Sequence, residues 1–485
     1  MRTSRTMNII VFLLVIVLLG IPTNVSAESP YRGYIYDNLD NTPASINGYL
    51  YADSIDGIGK EFGNLKAPED LFIAPDDTIY IVDSGNNRVI HITQNQELIG
   101  IYGDKEGKGL LNTPKGVFVD TQGSVYVADT LNRRIALFDK SGQFVKEFTQ
   151  PVSPLLGDKF VYSPSKLIVD KRGYLFVVSD GASQGLMQIR PDGQFAGFFG
   201  ANHVNFSWTR VLVRLVASEE QKEQIASVRP PEFSNLYQDN EGFIYTSTLG
   251  VPINQIKRLS AVGVDTLNAY TDFRYGDLYM PISNGTELLD AFVDVSISNS
   301  GLISALDQTT GRVFQYDKLG NLLFIFGGIG QQDGLFKTPT SVAETTDGMI
   351  YVADRTRNRI DSFYTTPFGD LVHHASELYV EGKYDQAFGP WNEVLHLNAN
   401  YDLANYVIGK TFFRKQQYGD AMTYFQLAKH KEGYSDALHE YRKVYVRDNF
   451  GTIMTVLIAS IIFIRLLLMA YRKRWYTVFR SNKSI

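Results

Sequence analysis

From about residue 60 the chain alternates apolar and polar positions in runs of five or six residues, broken by Asp, Gly and Asn. Period two with such punctuation predicts short strands and tight turns. The run MIYVADRTRNRI, residues 349–360, is a strand ending in Asp354 and a second strand entered after Arg359. The same phrase stands at 79–89 (IYIVDSGNNRV) and at 125–135 (VYVADTLNRRI), each time with Arg five residues beyond the Asp. Around it lie units with four period-two segments each, from Ala67 and Pro68 to Gly103 and from Thr113 and Pro114 to Phe148. Four strands in a meander, repeated along a chain, are the blades of a propeller. A third unit, 163–200, has Gly185 in place of the Arg, and a fourth, 233–259, loses both residues of the pair. The fifth, 292–328, restores them as Asp307 and Arg312, and the sixth is the run at 349–360.

The alternation is interrupted twice. Residues 202–229 have helical composition, with Ser218 and Gln221 spaced as a capping box; they read equally as a partner-contact element or a tolerated loop. Residues 31–51, with YRGYIY and NGYLY, precede the first blade and are expected to lend the sixth a strand, so that no sheet edge is left free. Beyond Gly369 the period becomes helical, and Tyr384, Ala387 and Trp391 are echoed by Tyr418, Ala421 and Phe425 at a constant offset of 34. A further helix over 434–449 leads towards an apolar run.

The two ends read as membrane signals. Arg2 and Arg5 precede an apolar run from Ile9 to Leu19, followed by Gly20, Pro22 and the small residues Ser26 and Ala27, the pattern of a secretory signal peptide over 1–27. An uncleaved anchor is the other reading. Residues 450–470 carry one charge, Arg465, and are long enough to cross about 30 Å of hydrocarbon as a helix. Arg472, Lys473 and Arg474 then place the tail, 471–485, in the cytoplasm, and residues 28–449 outside. The expected division is signal peptide, propeller over 28–368, helical segment over 369–449, span and tail.

Composition narrows the chemistry. The 485 residues carry 46 basic and 52 acidic side chains, a net charge of -6, which gives nothing to grip a phosphate backbone; nucleic acid is not an expected partner. There is no Cys, so disulfides, thiolate metal sites and Cys nucleophiles are excluded. The sequence holds no HExxH, no GxSxG and no Walker loop, and the Gly-rich GGIGQQDG at 327–334 is a link into blade six. No catalytic or metal-binding residue is assigned and no cofactor is called for, although Asp and Asn oxygens leave a Ca²⁺ open. The recurring pairs Asp83 and Arg88, Asp129 and Arg134, Asp307 and Arg312, and Asp354 and Arg359 read as architecture, the carboxylate taking turn amides and the guanidinium bridging loops. The candidate binding face comprises Asp70, Lys115 and Lys166 with Thr340 at the entries to the innermost strands, and Asn86, Asn132 and Arg355 in the turns. Arg357 joins them because it and Arg355 do not recur.

The phrase resembles the NHL repeat, which Pro114, Gly116, Asp120, Asp129, Asn132, Arg134 and Ile135 match closely. The resemblance covers about residues 60–363 and implies a mainly β, six-bladed propeller. The 34-residue period resembles the tetratricopeptide repeat over about 370–433 and implies paired antiparallel helices. Propeller hydrolases and lyases built on related repeats hold a metal in the central tunnel, which here would be an oxygen-bound Ca²⁺ in a lactonase or lyase. The arrangement as a whole looks like bacterial envelope proteins that work with ABC-type transport systems, which implies a membrane-held binding or scaffold protein with a protein or glycan partner.

Overall fold

The computed structural model describes residues 29–157, 160–202, 230–269, 272–278, 282–283 and 286–481. The expected signal peptide, nearly all of the helical insertion and the end of the tail lie outside them. Six sheets stand around an axis, and their innermost strands touch in order: Pro68–Ile73, Pro114–Val119, Pro164–Val169, Phe233–Gln238, Phe292–Ile297 and Pro339–Glu344, the last returning to the first. This is a six-bladed propeller. The second strands Ile79–Asp83 and Ile350–Asp354 are buried at every position, because each blade is clasped by neighbours on both faces. They therefore read as continuous apolar runs, while an outer strand such as Phe144–Thr149 is largely exposed.

The segment before blade one closes the ring as expected, although only its end takes part. The strand that completes blade six is Tyr49–Ile55, pairing antiparallel with Arg359–Thr365. Most of residues 31–51 form instead a strap over blade five. Its alternating tyrosines are hydrogen-bond donors: Tyr34 and Tyr36 give their hydroxyls to Asp277, and Tyr31 gives its own to the carbonyl of Tyr49. Blade four has three strands among the described residues. Past Leu259 the chain turns at Ser260–Val264, and Asp265 captures the amides of Arg258 and Leu267 at 3.2 and 3.0 Å, so a carboxylate-capped loop borders the sheet edge.

Six helices follow: α1 (Pro367–Val380), α2 (Tyr384–Leu397), α3 (Asp402–Arg414), α4 (Tyr418–Leu427), α5 (Lys431–Asp448) and α6 (Phe450–Ser481). Thr366 caps α1 through the amide of Gly369, and Pro367 takes the first position, where its missing N–H costs nothing. Residues 34 apart occupy like places: Tyr384 and Tyr418 open α2 and α4, and Ala387, Trp391, Ala421 and Phe425 are all buried. Helices α1–α3 do not form a separate core. Phe368, Trp391 and Tyr401 share one cluster with Tyr49, Phe324 and Phe326 of blades five and six, and the Tyr401 hydroxyl donates to the carbonyl of Leu323 at 2.9 Å. Within α6, residues Phe450–Arg472 have a mean hydropathy of 2.6 and none of their apolar window is buried; by length and composition this helix can cross a membrane.

The helices approach the closing strand through glycines. A Cβ on Gly369 would lie 2.5 Å from the carbonyl oxygen of Gly48, the residue before that strand. Gly369→Ala should therefore cost ~1–3 kcal/mol of unfolding free energy in chemical denaturation. Gly419→Ala, in exposed α4 with open space around it, should gain up to ~1 kcal/mol. Equal effects from the two would contradict the close seat of α1.

Candidate functional site

Each innermost strand carries an irregularity in register between its first and third residues, in all six blades. A bulge re-aims the side chain that follows it. The six third residues, Asp70, Gly116, Lys166, Asn235, Asp294 and Ser341, make a girdle around the axis. Asp70 and Asp294 each tie their blade to the next: Asp70 accepts the amide of Val117 at 2.9 Å and Asp294 that of Val342 at 2.8 Å. Ser341 stands between them in ring order, its hydroxyl bonded to both carboxylates. Lys166, on the opposite blade, reaches across; its ammonium pairs directly with Asp70 and lies 3.9 Å from Asp294. Gly116 leaves room for this, because a Cβ there would press on the backbone of Ser165 and Lys166.

The lysine and both carboxylates are nearly shut off from solvent, their side chains 11%, 7% and 6% exposed. Burial pushes the Asp294 carboxyl up, offset in part by Lys166. Asp294 and Asp70 in turn outweigh the burial of Lys166 and raise its pKa, so the ammonium stays charged. An oxygen-bound dication does not fit this set. The ammonium already lies among the carboxylates, Asp70 and Asp294 are spent on backbone amides, and Asn235 turns its oxygen to the amide of Leu236. Among the described residues no group of three or more His, Cys, Asp or Glu side chains is placed to hold a metal ion.

A hydrogen-bonded chain runs from the propeller interior to the helices. Glu344, the last residue of the innermost strand of blade six, accepts from Ser304 at 3.3 Å. Ser304 accepts from Gln315 at 3.2 Å, and the Gln315 oxygen lies 2.6 Å from the His373 ring in α1. Gln315 also donates to the Tyr49 hydroxyl at 2.8 Å. Burial pushes the Glu344 carboxyl up to about 8 and His373 down to about 4. Its neighbour His374 is exposed.

The structure distributes the sequence candidates unevenly. Asp70 and Lys166 meet in the girdle, not on the surface, because the bulge turns them inward. Thr340 is buried and donates to the carbonyl of Pro68. Lys115 and Arg355 remain accessible at the blade entries, opposite Asp180 at 3.7 Å and Glu69 at 2.6 Å. Asn86 and Asn132 bond Asp83 and Asp129, each at 2.8 Å. The Arg357 guanidinium is 11% exposed and holds the carbonyls of Gln331, Gln332 and Leu335.

The repeated Asp takes the amide of the incoming loop in every case: Asp83 that of Lys66, Asp129 that of Asn112, Asp307 that of Ala291 and Asp354 that of Lys337. Blades one and two join Asp and Arg at 2.8 and 2.7 Å. Blades five and six do not; there the carboxylate takes only amides and a hydroxyl, and the guanidinium reaches other acids. The residue three beyond the Asp decides this. Asn86 and Asn132 share one carboxylate oxygen with the arginine, whereas Thr310 fills that oxygen of Asp307 with its amide and hydroxyl, and Asp354 takes the amides of Thr356 and Arg357. Arg312 turns to Asp277, and Arg359 to Asp361 and Asp333. Girdle members Asn235, Asp294 and Ser341 escaped the sequence reading; their signal was their place two residues into each innermost strand.

No family model matches the chain, and no curated protein does. Among solved structures it is similar to virginiamycin B lyase from Staphylococcus aureus, at 10% identity over 66% of this chain and 100% of that one, with a TM-score of 0.40. It is also similar to a gluconolactonase from Xanthomonas campestris, at 13% identity over 67% and 98%, TM-score 0.39. A Bacteroides thetaiotaomicron protein of unknown function gives 12% identity over 69% and 90%, TM-score 0.42. Likeness at this level assigns no activity.

The charge state of His373 has a measurable consequence. A ring that folds neutral, with its pKa lowered from 6.5 to about 4, loses stability as pH falls through that window, because the unfolded chain takes the proton first. The wild type should lose unfolding free energy relative to His373→Gln from pH 6.5 to 4, while raised carboxyls such as Glu344 act in the opposite sense in both proteins. His91, which burial also lowers to about 4, contributes equally to both proteins and leaves this difference untouched. An unchanged slope in His373→Gln would contradict a neutral imidazole at this interface.

Proposed function

We propose that the chain is a membrane-anchored, extracytoplasmic binding and scaffold protein, in which an NHL-type propeller and tetratricopeptide-type helix pairs present a protein or glycan ligand to a membrane complex such as an ABC-type transport system. The observation that carries the reading is the single apolar core shared by the propeller and α1–α3, with Trp391, Tyr401 and Phe368 against Phe324 and Tyr49. A propeller held in this way keeps one orientation relative to the helices that lead into α6, as a platform requires. The accessible entries at Lys115 and Arg355 supply a mixed-charge face, which suits protein or glycan contacts more than a single small substrate. The lactonase or lyase alternative needs a dication where Lys166 lies.

Crosslinking of the full-length protein in native membranes, followed by mass spectrometry, tests the reading. One partner set is expected to recur, with crosslinks on the propeller entries or on α2–α4. Recovery of no consistent partner would contradict a scaffold.

A further inference from the structure

A propeller axis crowded with carboxylates needs a cation. Two buried acids, Asp70 and Asp294, flank Ser341 on one side of the girdle, and both are fixed by backbone amides of the next blade. Left alone, two ionised carboxylates in a water-poor interior repel one another and lose hydration with no return. Blade three supplies the compensation from across the ring.

We propose that Lys166 is the built-in axial cation of this propeller: its ammonium takes the place of a bound dication, closing the girdle between blades three, five, six and one without any metal. The proposal stands independently of the scaffold reading. Three observations carry it. Lys166 pairs with one carboxylate and lies 3.9 Å from the other, so a single charge serves both. The Ser341 hydroxyl lies within hydrogen-bond reach of both acids and shares its one proton between them. Gly116 keeps the neighbouring position bare, so the backbone bearing Lys166 can close on it. An ammonium donates and needs only a few acceptors in irregular geometry, whereas Ca²⁺ would ask for six to eight oxygens, more than this ring leaves unspent.

The test uses the full-length protein in detergent, stripped with a chelator, as wild type, Lys166→Met, Lys166→Arg and Asp294→Asn. Thermal unfolding is followed with and without Ca²⁺, and bound Ca²⁺ is counted by equilibrium dialysis. The wild type should unfold at one midpoint whether or not Ca²⁺ is present and should retain no stoichiometric Ca²⁺. Lys166→Met should unfold at a lower midpoint that Ca²⁺ leaves unchanged, because the ring holds too few unspent oxygens for the ion, while Lys166→Arg, which keeps the charge, should stay nearer the wild type. Uptake of one Ca²⁺ per wild-type chain, lost in Asp294→Asn, would overturn the proposal. So would a Lys166→Met protein with the wild-type midpoint. If neither Lys166 variant folds, the wild-type Ca²⁺ count decides alone.

Discussion

The pairing of Tyr49–Ile55 with Arg359–Thr365 joins the two ends of the propeller, and most long-range features of the molecule meet at it. Without this strand blade six has an open edge and the ring has no covalent reason to close. The residues just before the strand receive the helices: the carbonyl of Gly48 accepts the amide of Thr366, and that of Asn47 accepts its hydroxyl. Tyr49 itself is fully buried, stacked on Phe326 with ring centroids 4.8 Å apart and hydrogen-bonded to Gln315. One strand therefore sets ring closure, the seat of α1 and the interior polar chain to His373.

The girdle works at the opposite scale. Each blade contributes one bulged position, and the six residues follow no common type, so the ring is a single electrostatic unit and not a repeat. Two acids, one ammonium and a shared hydroxyl satisfy each other across the axis. Removing one partner of such a buried set leaves a charge without compensation, typically at a cost of ~3–5 kcal/mol. The ring is thus joined at the rim by strand pairing and at the axis by charge.

The fold was legible because each blade repeats its strand pattern and its Asp turn, and the helix pairs because Tyr384 and Tyr418 open equivalent helices 34 residues apart. What escaped was set by tertiary context. The YRGYIY alternation looks like a strand, but its hydroxyls find Asp277 first. The Asp and Arg of blades five and six look like those of blades one and two, yet Thr310 and Arg357 stand where Asn makes the pair possible. Lys166 looked like a surface cation because periodicity does not announce a bulge, and the sign of its neighbours depends on blades 96 residues away in sequence.

Native-state hydrogen exchange of the full-length protein, resolved to residues 49–55, 359–365 and 367–414, measures whether strand closure and helix docking are one event. A shared core predicts that the three segments open together, with a common free energy close to that of global unfolding. Helices α1–α3 exchanging through their own, much cheaper opening while the closing strand stays protected would contradict the rigid platform.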